Sequence, residues 1–194
     1  MANRRITKEM ATCAAEDMKN AVYKEKLDNA DAEINKMLEN FVKNYFPAPV
    51  LACVAEYKKY FKLYNKVELR VFDKRDSEGK CAGGYKTIEG RLSFGVPNIE
   101  DGGWGWGCSI DVTKDECTEV VEADKNYRNL WRESASFYGK IVDMLLSLRT
   151  EKKVTEQFPE ALPYIKFPDD KSNLPSPIFS DIRAMLQNVT SNKQ

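Results

Sequence analysis

Trp104 and Trp106 stand two residues apart in the stretch GGWGWG, residues 102–107, with Asp101 before them and Asp111 after. A flat indole offers a stacking surface, and stacking on an aromatic is worth about 1–3 kcal/mol per base. The surrounding glycines let a base, or a partner's backbone, come close. The same spacing has a purely structural use. In a strand both indoles point to one face and Gly105 to the other, so the tryptophans fill a core while the glycine admits a helix. The sequence leaves both readings open. A phosphate-cradling loop fits less well, because no Lys-Ser/Thr follows and the chain runs on into a strand.

Two further groups carry chemistry. In EYKKYFKLYNK, residues 56–66, Tyr57, Tyr60, Phe61 and Tyr64 interleave with Lys58, Lys59, Lys62 and Lys66, and Arg70 and Arg75 follow. Basic and aromatic residues in this mixture can hold a single strand of nucleic acid, or they make an amphipathic helix with a solvated basic side. Between Glu100 and Asp124 lie eight carboxylates against one lysine, Lys114. Asp115 and Glu119 share a helix face, as do Glu119 and Glu122. Such carboxylates suit Mg²⁺ or imitate a phosphate backbone toward a basic partner. They also suit the start of a helix, whose dipole favours negative charge. The binding candidates are Trp104, Trp106, Asp101, Asp111, Tyr57, Lys58 and Arg70. No metal site and no cofactor is indicated.

Composition narrows the chemistry. The 194 residues hold no histidine, which removes His-dependent serine and cysteine hydrolases, most zinc enzymes and any imidazole base. Cys108, beside the glycine stretch, would need a lysine, an arginine or a helix N-terminus to become a nucleophile. The five cysteines include no C-x-x-C pair and read as reduced thiols of a cytoplasmic protein. Thirty basic residues balance thirty acidic ones, which argues against a strongly basic nucleic-acid binder. The start, MANRRITKEM, has no apolar signal region, and no apolar run reaches the length of a membrane span.

The elements that position these groups follow from periodicity. Apolar residues at spacings of three and four predict a helix over residues 7–45, capped by Thr7, with a drift in register at 24–29 where a kink or break would fall. Pro47 and Pro49 end it, and a second helix is expected over 50–64. Alternation predicts strands over 66–72, 85–96 with a bulge near Gly90, and 104–112, in an antiparallel meander. Thr113 caps a long helix to about 149, whose seam of Tyr127, Trp131, Ser134, Tyr138, Ile141, Leu145 and Leu148 is heptad-like and faces the first helix. A short helix to Gln157 and a proline-rich extended arm complete the chain. The expected fold is therefore α+β: one domain over residues 1–194, with two long helices on a small antiparallel sheet of about three strands. Its parts are a long helix (1–49), a helix and sheet (50–112), a second long helix (113–149) and the C-terminal arm (150–194).

The opening RRITKEM at the head of a long helix, the small central sheet, and the closing VTEQFPEALPYI before a proline-rich arm resemble a phage family described as nucleotide modification associated domain 5. The resemblance carries no catalytic residue with it. It implies a phage protein in the cytoplasm of a bacterial host cell, with a link to DNA modification or to host defence. The expected function is that of a non-catalytic binding protein acting on a host or defence component, by covering a protein surface or sequestering a nucleotide-like ligand. The alternative is an enzyme or accessory factor in nucleotide or DNA modification, with Trp104 or Trp106 in a closed pocket and Asp101 and Asp111 converging on it. Nucleic acid is not the favoured partner, no membrane is expected, and the helical seam leaves room for a homodimer.

Overall fold

The computed structural model describes residues 4–56, 59, 63–97 and 108–167. The order is α1 (Lys8–Tyr45), α2 (Ala48–Glu56), β1 (Leu63–Arg75), β2 (Cys81–Pro97), β3 (Cys108–Thr113), a 3-10 turn (Lys114–Cys117) leading into α3 (Thr118–Leu148), α4 (Glu151–Gln157) and a second 3-10 turn (Pro159–Tyr164). The architecture is α+β with long helices, as the periodicity predicts. No described helix is long and apolar enough to cross a membrane. The chain packs as two compact units, one of residues 1–27 and 130–194, the other of residues 28–129.

The first unit is helical. Ala11, Ala14, Ala15 and Met18 of α1 are fully buried in one cluster with Phe137, Ile141 and Leu145 of α3. Alanines with no side chain beyond Cβ let the helices approach closely, and Tyr23 meets Phe137 edge-on with ring centroids 5.6 Å apart. The seam departs from the expected heptads in two places: Phe137 rather than Tyr138 is buried, and Trp131 is 57% exposed. A straight helix drifts about 20° per heptad against a strict seven-residue repeat, so one seam does not stay on one face over this length. After α4 the chain does not run directly into an extended arm. Phe158, Ala161 and Tyr164, three residues apart, line up on one side of the 3-10 turn and are buried. Arg4 ties the start of the chain to α4 by a forked pair to Glu151, both bonds 2.8 Å, and its guanidinium lies 3.9 Å from the centre of the Phe167 ring.

The second unit holds the sheet. Its order is β2-β1-β3. β1 and β2 are antiparallel, but β3 pairs with β1 in parallel, so the expected antiparallel meander is corrected to a mixed sheet. The register explains it. Pro97 at the end of β2 lies opposite Leu63 near the start of β1, and Cys108 begins β3 opposite Val67 on β1's other side. A strand that starts at the same end as β1 and runs the same way must be parallel to it.

Val67, Leu69 and Val71 of β1, Ile88 of β2, and Ile110 and Val112 of β3 point to one face, where they pack with Ile34, Leu38 and Val42 of α1 and Val120 and Ala123 of α3. Gly90 pairs regularly with Val67, and the two irregularities in β2 fall between Ala82 and Tyr85 and between Arg91 and Val96. Gly90 serves a different end: a Cβ there would stand 2.2 Å from Leu38 Cδ1 and 2.8 Å from Asn35 Oδ1. Helix α1 lies against the bare backbone at this point and supplies the acceptors that the irregular strand lacks. The Arg91 N–H donates to Asn35 Oδ1 at 2.6 Å, and the Ser93 N–H donates to Glu39. The hydrogen bonds from Ser93 hold the Glu39 carboxyl below its ordinary range.

Two expected boundaries move. Helix α2 is Ala48–Glu56, and Leu63 and Tyr64, expected in its last turn, instead pair in β1. The drift at residues 24–29 is not a break, since α1 is one continuous helix. It is the place where α1's buried residues pass from the first cluster, ending near Leu27, to the second, beginning at Ile34.

Candidate functional site

The face of the sheet away from the helices is the candidate. Alternation puts Lys66, Glu68, Arg70 and Phe72 of β1 on it, and pairing brings Glu89, Thr87 and Tyr85 of β2 and Asp111 of β3 alongside. Arg70 and Asp111 are register partners, and the Arg70 Nε–H donates to Asp111 Oδ1 at 2.6 Å. On the other side of β1, Lys66 pairs with Glu89 at 2.7 Å, relieving the Glu68 and Glu89 carboxylates that stand opposite each other. At the far end Phe72 and Tyr85 are opposite, with ring centroids 5.1 Å apart, and Tyr85 is 57% exposed. The side chains on this face are half-buried or exposed, unlike the buried row on the other side. Ion pairs this exposed stabilise by roughly 0–1 kcal/mol each, so they set the pattern of charge on the face more than they hold the fold together.

Of the residues expected to bind, the structure joins two, Arg70 and Asp111. Asp101, Trp104 and Trp106 lie outside the described residues, as do Tyr57 and Lys58. The basic stripe of residues 56–75 is broken up by acid where it is described. Besides the two pairs just given, Arg75 forks onto Glu116 at 2.8 and 2.9 Å, and Lys114 reaches Asp73 at 2.6 Å. That bond lowers the Asp73 carboxyl and raises the Lys114 ammonium.

The acidic run divides into separate tasks. Glu116 accepts the Thr113 N–H at 2.7 Å and the Thr113 hydroxyl at 3.0 Å, which starts the 3-10 turn before α3. The backbone bond, followed by Arg75, holds its carboxyl below the ordinary range. Asp124, only 5% exposed, receives Arg128 at 2.9 Å and is also paired with Lys86 of the edge strand. Among the described residues no three Cys, Asp or Glu side chains are grouped to hold a metal ion. Cys117 is buried, donates to the Thr113 carbonyl at 3.3 Å, and is pushed up to about 11 by burial and by Glu116.

No family model, curated protein or solved structure matches this chain. What the site can do is therefore read from its own geometry.

Sequence reasoning missed Phe72 and Tyr85. A signal was present: Phe72 has the same parity as Lys66, Glu68 and Arg70, so a large apolar ring stands on the polar side of an alternating strand. Asp124 was also missed as a buried ion. Its helical partner Arg128 is four residues on, but Lys86 is 38 residues away and only the fold brings it in.

Proposed function

We propose that the chain is a binding protein that presents the open face of its sheet to a partner protein. The observation that carries this is the one-sided sheet. Helices cover the Val67, Leu69 and Val71 side, while the other side shows an exposed Tyr85 against a half-buried Phe72, beside the Arg70–Asp111 and Lys66–Glu89 ion pairs. Aromatic surface next to charged pairs that include an arginine suits a protein interface, where tyrosine and arginine supply the main contacts. The face is a sheet surface rather than a concavity, which favours a protein over a nucleotide-like ligand. The resemblance to a phage family points to a host or defence component in the bacterial cytoplasm as the partner, and to inhibition by occupying its surface.

The test uses tagged full-length protein in bacterial lysate, with Tyr85→Ser and Arg70→Glu compared with wild type. One stoichiometric protein retained by wild type and lost by both variants supports the reading. A retained protein that survives both substitutions places the binding surface elsewhere. Capture of a nucleotide in place of a protein supports sequestration instead.

A further inference from the structure

The second unit also carries a cleft of about 510 Å³ on the helix-covered side of the sheet, formed by the last turns of α1, the end of β3 and the start of α3. Met37 and Phe41, both half-buried, give it apolar surface above the buried Val112 and Val120, and Tyr45, 50% exposed, stands in it stacked on Phe41 with centroids 5.8 Å apart. From α1 come the amides of Asn40 and Asn44, one helical turn apart. Asp115 of the 3-10 turn and Glu119 of the first turn of α3 add acidic residues to its lining.

The charges in the cleft do not cancel. Arg75 and Glu116 neutralise each other in their forked pair. Neither Asp115 nor Glu119 has a cation within 4 Å among the described residues. The helix dipole makes carboxylates at this position stable. It gives no reason for them to share a cleft with apolar surface, two amide acceptors and a half-exposed tyrosine.

We propose that this cleft receives a basic side chain, an arginine in preference to a lysine, from a partner protein. Each part of a guanidinium side chain has a complement here. The methylene stem matches the Met37 and Phe41 surface. The planar cation matches the Tyr45 ring. The forked N–H groups match carboxylate and amide oxygens. Arginine is preferred because its guanidinium stacks on aromatic faces and sheds water more readily than an ammonium. The cleft opens on the other side of the sheet from the face carrying Tyr85, so this proposal does not rest on the reading given above.

The experiment is fluorescence anisotropy with labelled hexa-arginine and hexa-lysine peptides at two salt concentrations. The full-length protein is compared with Asp115→Asn/Glu119→Gln, Tyr45→Leu, and a charge-matched control, Glu25→Gln/Asp143→Asn. The expected result is saturable one-site binding, with hexa-arginine at least threefold tighter than hexa-lysine. The cleft double variant loses tenfold or more in affinity, Tyr45→Leu loses threefold or more, and the control keeps wild-type affinity. Absence of saturable binding overturns the proposal. So does an equal loss in the control pair, which would mean attraction by net charge alone, or an unchanged affinity in Tyr45→Leu. Tyr45 is half exposed, so its variant provides the test even if the double variant does not fold.

Discussion

Arg70 and Asp111 are neighbours in parallel register on the uncovered face of the sheet, with the Arg70 Nε–H 2.6 Å from Asp111 Oδ1. They are 41 residues apart in the chain, and only the parallel placement of β3 beside β1 joins them. In the expected meander β3 would have paired with β2, and Asp111 would have faced β2 rather than Arg70. The pairing therefore links the one topological surprise of the fold to the face proposed to bind.

Gly90 is where α1 meets the sheet backbone. Gly90→Ala puts a methyl group into the fully buried Leu38 side chain and displaces Asn35 from the Arg91 N–H. Overpacking of this kind costs about 1–3 kcal/mol. Urea unfolding should show a lower midpoint, with the unfolding free energy reduced by that amount, and a larger loss for Gly90→Val. An unchanged midpoint would mean that α1 does not lie on β2 as described.

Asp124 is a buried carboxylate held by two partly exposed cations. Lys86→Met or Arg128→Met leaves one partner in place and should cost about 0.5–1 kcal/mol each, while the double variant leaves the charge unpaired, a situation that costs about 3–5 kcal/mol. Chemical denaturation of the four proteins measures the coupling. Strict additivity would contradict the shared role.

The thiols should differ sharply in reactivity. Cys13 and Cys53 are exposed, whereas Cys117 is buried and raised to about 11. At pH 8 in the folded protein, iodoacetamide should modify Cys13 and Cys53 and leave Cys117 intact until denaturant is added. Peptide mass spectrometry reads the result, and early modification of Cys117 would mean that the start of α3 opens easily.

Acid should weaken the second unit through Glu116. Its folded-state pKa lies below the ordinary 4.5 because of the Thr113 N–H and Arg75. The unfolded chain therefore binds the proton more readily, and stability rises with pH across the window. The contribution is present above about 4.5 and is lost as pH falls through the lower folded value. Glu116→Gln should be less stable than wild type at pH 7, with the difference shrinking toward pH 3. A difference that stays constant with pH would assign the effect to packing.

Much of the fold was legible because it rests on local patterns. The alternation in β1, the three-and-four spacing of α1 and the Thr113–Glu116 start of the second long helix each need only neighbours in sequence. The parallel placement of β3 was not legible, because strand order depends on which end of β1 the chain returns to. The change of buried face along α1 was visible as a drift in register, but a drift alone does not distinguish a break from a helix that serves two cores. At the site, Arg70 and Asp111 were identifiable as residue types but not as a pair. Phe72 and Tyr85 were passed over because strands rich in aromatics are commonly buried.

The central claim is that the sheet face carrying Tyr85 contacts a partner. The most direct measurement is site-specific photo-crosslinking in bacterial cells, with a benzophenone amino acid at position 85 and, separately, at position 126 on the exposed side of α3. The account predicts one discrete crosslinked protein from position 85, lost when Arg70→Glu is added, and none from position 126. Equal crosslinking from both positions, or crosslinking from 126 alone, would contradict it.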